Sequence, residues 1–268
     1  MVHRAAPDRV PVADIHLPGD LANLNHYVGL VYDLEPRDER AVKILRAARQ
    51  LAPLCPFLLY IPEWPWLFEL VQRAEVNSLV RIHIPKSGKQ EETELKKDLG
   101  MLLREAVVAI VMHCIALLSA PRLTPVKASY MREVGRWLIN PPEHKKRPTV
   151  RRMAARLRTS AREIERKWDA DRLPKPKELL DWSLLLFAEL APCVTGMARG
   201  ELCQTLGLTR QGLYRLRQRL ARRVQPLTAP GPGQDFARAL AACILRHGTP
   251  VSPVLRTLHA ACGWIAVV

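Results

Sequence analysis

Arg210, Gln211, Tyr214, Arg215 and Gln218 fall on one face of a stretch with helical period. Their types suit a particular chemistry. A guanidinium forks onto the edge of guanine, a glutamine amide onto the edge of adenine, and all five side chains reach phosphate oxygens. The opposite face is apolar: Leu213, Leu216 and Leu220 recur at three-to-four spacing. Just upstream, Leu202 and Leu206 stand four apart, Leu208 plugs a turn, and small Cys203 lies where two crossed helices would approach most closely. Gly207 occupies the turn, where positive φ is needed, and Thr209 is a natural N-cap. Residues 198–223 therefore read as two helices crossing at a tight turn, with Thr209 and the five polar residues facing out.

A second copy lies upstream, over residues 149–168. Met153 and Leu157 form the buried side of its first helix and Ala154 the close-packed position. Ser160 and Glu163 form a capping box for its second helix, with Ile164 and Trp168 inward. Ser160, Arg162, Glu165, Arg166 and Asp169 then face out. One residue departs from the other copy: Arg158 stands where Gly207 stands, and a side chain in the left-handed region costs about 1–2 kcal/mol. Between the copies, residues 173–192 carry a continuous apolar stripe that Pro192 is expected to end. A helix of about 15 residues there would span roughly 22 Å. Adjacent major-groove segments on one face of B-DNA are about 34 Å apart, so two units joined this way would enter them together.

The arrangement resembles the DNA-binding domain of the AraC/XylS family of transcription regulators. The likeness covers residues 123–225: an amphipathic helix over 125–139, the first helix-turn-helix, the connecting helix and the second helix-turn-helix. The positions Arg158 and Gly207, 49 residues apart, match the family's spacing. The resemblance implies base reading by the outward residues of both units, without catalysis, metal or cofactor. It also implies double-stranded DNA as partner, with RNA polymerase and a second copy of the chain as further partners. The family's closing element is replaced by a Pro/Gly stretch at 224–234 and an expected helix at 235–246.

Charge points the same way. The net charge is +15 over 268 residues. Residues 141–225 hold 20 Lys/Arg against 9 Asp/Glu, so most of the excess is focused there, favouring a polyanion. Lys145, Lys146 and Arg147 are expected to touch phosphates only. Three alternatives stay open from charge alone: a solvated surface, an RNA- or protein-binding surface, and a DNA-processing enzyme of recombinase or transposase type. The last lacks clustered carboxylates in the N-terminal region. The chain has no G-x-S-x-G, P-loop, G-x-G-x-x-G or H-E-x-x-H. Six scattered cysteines without C-x-x-C suit reduced core residues. His113 beside Cys114 reads as a core histidine rather than a ligand. The apolar run at 106–118 falls short of a membrane span and residues 1–20 show no signal segment, so a cytoplasmic, nucleoid-associated protein is expected.

The N-terminal third alternates strand-like runs (27–32, 57–61, 79–84) with helical ones (38–51, 65–74), which implies a parallel sheet. It resembles the latter half of a response-regulator receiver domain. Asp33 falls near the phosphoacceptor of such a domain. Too few residues precede it for the usual first strand, helix and second strand, and Lys86 is displaced from the family's lysine position. A degenerate module that dimerises or meets a partner, with Asp33 an ordinary turn residue, fits better. Trp64 and Trp66 would cover the sheet edge or line a small pocket. The expected fold is thus α+β: a degenerate receiver-like α/β domain (1–92), a connecting helix (93–120), an all-α AraC-type tandem helix-turn-helix domain (121–226), and a linker with a helical tail (227–268).

Overall fold

The computed structural model describes residues 2, 12–14, 27–33, 39–61, 80–86, 88–119, 124–141, 147–168, 175–222 and 264–267. The chain is α+β and divides into two units. One holds residues 1–109, 193–196 and 259–268; the other holds 110–192 and 197–258. The expected helices at 65–74 and 235–246, the Pro/Gly stretch, Trp64 and Trp66 lie outside the described residues.

The first unit is built on five parallel strands, β1 (Val12–Asp14), β2 (Tyr27–Asp33), β3 (Phe57–Tyr60), β4 (Val80–His83) and β5 (Trp264–Val267), in the order β1-β5-β2-β3-β4. Parallel sheets are covered on both faces, and their strands read as continuous apolar runs. Alternation assigns the faces here. Leu30, Tyr32, Phe57 and Leu59 pack against Ala41, Leu45 and Ala48 of α1 (Glu39–Leu51). Gly29 lies on the other face, where a Cβ would come within 3.0 Å of Leu102 Cδ2 on α2 (Lys89–Ser119), so a larger residue there would have to push that side chain aside. The guanidinium of Arg49 in the last turn of α1 lies 4.2 Å from the Phe57 ring centre and donates to the Cys55 carbonyl at 2.9 Å. Burial pushes the Cys55 and Cys114 thiols up to about 12, which fits unreactive core cysteines. Cys203 is buried too, while Cys193 is exposed. Burial lowers the pKa of His113.

The strand order corrects the expectation for the tail. Trp264–Val267 is a strand between β1 and β2, not a helix, because parallel pairing on both sides satisfies its backbone. Counted from β5, the order becomes the 2-1-3-4-5 of doubly wound sheets. Asp33 is the last residue of β2, opposite Tyr60, and is exposed.

Helix α2 starts at Lys89, four residues before the expected boundary. Its Lys89–Ala116 stretch is long and apolar enough to cross a membrane, yet 56% of the most apolar window is buried inside the protein, as in a core helix. Its carboxylates at seven-residue spacing face β4. Glu105 pairs with Arg81 at 2.9 Å, and His83, 2% exposed, bridges Asp98 (2.8 Å) and Glu91 (2.9 Å). Glu91 also accepts from the Tyr60 hydroxyl and the Lys86 amide. Burial alone would raise the Glu91 carboxyl, but the Lys86 amide, His83 and Tyr60 outweigh it and hold the pKa low. A lowered native value means stability present above the ordinary glutamate range and lost as pH falls through the native value. Glu91→Gln should therefore cost about 1–3 kcal/mol near neutrality. In denaturant titrations from pH 7 downward, the gap to the parent should narrow with acid; a constant gap would contradict this.

Candidate nucleic-acid interface

The second unit contains α3 (Pro125–Ile139), α4 (Val150–Arg156), α5 (Ala161–Trp168), α6 (Pro176–Thr195) up to Pro192, α7 (Arg199–Thr205) and α8 (Arg210–Arg222). The pairs α4/α5 and α7/α8 are built alike at the level of single hydrogen bonds. Met153 N donates to the Thr149 carbonyl at 3.0 Å, as Leu202 N does to Ala198 at 2.9 Å. Leu157 N reaches Met153 at 3.1 Å and Leu206 N reaches Leu202 at 2.9 Å. In the turns, Arg158 N donates to Ala155 and Thr159 N to Ala154; Gly207 N donates to Gln204 and Leu208 N to Cys203. These are the paired bonds of a helix ending in a left-handed residue. Arg158 has φ 53° and Gly207 φ 59°. The second helices start alike as well: Ser160 Oγ accepts from Glu163 N at 3.0 Å, and Thr209 Oγ1 from Gly212 N at 2.9 Å. Every one of these bonds recurs 49 residues on.

Packing explains why the turns close. Met153, Ala154, Ile164 and Trp168 are buried in the first pair, and Leu202, Cys203, Leu206, Leu216 and Leu220 in the second. Leu157 and Leu213, expected fully inside, are only half-buried. The Trp168 indole meets Tyr130 of α3 edge-on at 5.4 Å, and Lys127 Nζ lies 5.6 Å from its ring centre. Tyr130 in turn donates to the Pro176 carbonyl at 3.1 Å. Burial first, then Asp181 and Glu165, raises the pKa of its hydroxyl.

Of the expected outward residues, Asp169 lies outside the described residues; the other ten are exposed: Ser160, Arg162, Glu165 and Arg166 on the first pair, Thr209, Arg210, Gln211, Tyr214, Arg215 and Gln218 on the second. Arg162, Arg210 and Arg215 have no acidic partner among the described residues. Tyr214 is 60% exposed, unusual for an aromatic ring, and its hydroxyl accepts from Gln218 Nε2 at 2.6 Å. Arg166 lies 3.3 Å from Glu163, whose carboxyl Lys167 and Arg166 hold low. Glu163 spends its side chain on these partners, so only the Ser160 half of the capping box is seen.

Other cations serve the scaffold. Arg217 pairs with Glu189 at 3.3 Å and Arg219 with Asp181 at 2.5 Å, docking α8 on α6. Arg156 pairs with Glu133 of α3. Arg147, expected to touch phosphate only, instead pairs with Asp181 at 2.7 Å, because a carboxylate 5% exposed draws a guanidinium more strongly than water does. Lys145 and Lys146 lie outside the described residues. The docking arginines were detectable by period: Arg217 follows Leu213 by four and Arg219 follows Leu216 by three, which places both beside the buried stripe. The connecting helix also runs past Pro192 to Thr195, giving 20 residues rather than about 15. The proline removes one hydrogen bond near the end, while buried Ala191 and Val194 hold the last turn in place.

No protein-family model, curated protein or solved structure matches this chain.

The turns give opposite mutational signs. Gly207→Ala should destabilise by about 1–2 kcal/mol. Arg158→Gly removes the same strain but frees the unfolded chain, for a net gain of about 0.5–1 kcal/mol. Urea midpoints of the full chain check both; the same sign for the two variants would contradict the shared left-handed turn.

Proposed function

We propose that this chain is a sequence-specific DNA-binding regulator of transcription, reading two adjacent major-groove segments through α5 and α8. The observation that carries the proposal is the repeat: two helix pairs with the same bonds 49 residues apart, each with an exposed polar face that holds arginine without an acidic partner among the described residues, Arg162 in the first pair and Arg210 and Arg215 in the second. Unneutralised guanidiniums on a short exposed helix fit base edges and phosphates, whereas the arginines that dock α8 on α6, Arg217 and Arg219, pair with nearby carboxylates. The local cationic excess adds the long-range attraction and the salt dependence that such binding requires.

On this reading the α7/α8 pair is the principal reader, with Arg210 and Arg215 flanked by Gln211 and Tyr214. The layout supports an AraC-type tandem domain. The strand order supports a receiver-like module in the first unit, with β5 in the place of the first strand and Asp33 at the end of the third. RNA polymerase and a second copy of the chain follow as partners from the regulator role.

Selection from random duplex DNA is expected to recover two elements about one helical turn apart. Arg215→Ala should then cost about 1–3 kcal/mol and relax preference at one base pair of the α8 element. Loss of affinity spread equally over all sequences, with a shallower salt slope, would make Arg215 a phosphate contact. Equal or stronger binding to structured RNA at matched salt would overturn the proposal.

A further inference from the structure

We infer that Asp181 is a positioning residue that sets the separation of DNA elements the protein accepts; the inference rests on the proposed tandem reading. Asp181 lies in the second turn of α6 and is 5% exposed. Its two oxygens are divided between the two helix pairs. Oδ1 accepts from Arg147 Nη2 at 2.7 Å, and Oδ2 from Arg219 Nη2 at 2.5 Å. Arg147 belongs to the α4/α5 pair: it precedes the cap Thr149, and its carbonyl accepts from Arg152 Nη1 of α4 at 2.6 Å. Arg219 belongs to α8, the outward-facing helix of the α7/α8 pair. One buried carboxylate thus ties both helix pairs to the same point on α6.

A carboxylate with one guanidinium on each oxygen is geometrically demanding, since charge-assisted bonds are short and directional. Turning or sliding either helix pair breaks one of them and leaves a buried charge half satisfied. Neither arginine belongs to the outward set, so the tie does not compete with DNA. A second pair, Arg217 with Glu189, holds α8 at a point eight residues further along α6, so the helix is fixed in direction as well as position. Linked units gain from each other only when the spacing of their targets matches the span between them. The tie therefore converts a local affinity into a spacing requirement.

The test uses the full chain and duplexes carrying the selected two-element site, the same site with five extra base pairs between elements, and the α8 element alone. The parent should lose at least about tenfold in affinity on the insertion, which turns the second element to the far side of the duplex. Asp181→Asn should bind the single element within about twofold of the parent and lose less than about threefold on the insertion. Arg219→Gln and Arg147→Gln, each removing one half of the tie from a partly exposed position, should show the same relaxed spacing if Asp181→Asn fails to fold. A variant that keeps the full insertion penalty, or loses affinity equally for one and two elements, overturns the positioning role while leaving the DNA reading intact. Failure of the parent to select any duplex overturns the DNA reading itself.

Discussion

Two residues in the left-handed region organise the second unit. At Arg158 and at Gly207 a short helix ends with its terminal amides folded back onto its own carbonyls, and the chain leaves at the angle its partner helix needs. The apolar positions fit that angle: Met153, Ala154 and Ile164 are buried in the first pair, and Leu202, Cys203 and Leu216 in the second. At Gly207 the conformation comes without strain. At Arg158 it persists because buried Trp168 and the capped start of α5 over-determine the crossing. The α4/α5 pair thus keeps the same turn as α7/α8 with a costly residue in it.

The charges are sorted by their partners. Asp181, Glu133 and Glu189 gather Arg147, Arg219, Arg156 and Arg217 into the scaffold, while the exposed faces of α5 and α8 keep Arg162, Arg210 and Arg215. Exposed ion pairs contribute little to stability, so what the buried carboxylates supply is orientation.

Much of this was legible in the residues. Leucine spacing, Gly207, the caps Ser160 and Thr209, and the small residues Ala154 and Cys203 each have a local cause, and local causes read directly from a sequence. The outward residues followed by subtraction. Three features were hidden because their causes are not local. The pairing of Arg147 with Asp181 joins residues 34 apart. The run of α6 past Pro192 depends on tertiary burial of Val194. The strand Trp264–Val267 pairs with chain more than 200 residues away, and no period in a four-residue segment announces that.

Hydroxyl-radical footprinting of the full chain on its selected duplex tests the central claim most directly. The account predicts two protected patches on one face of the helix, about one turn apart, both fading together as salt rises. A single patch, or uniform protection without preference for sequence, would contradict it.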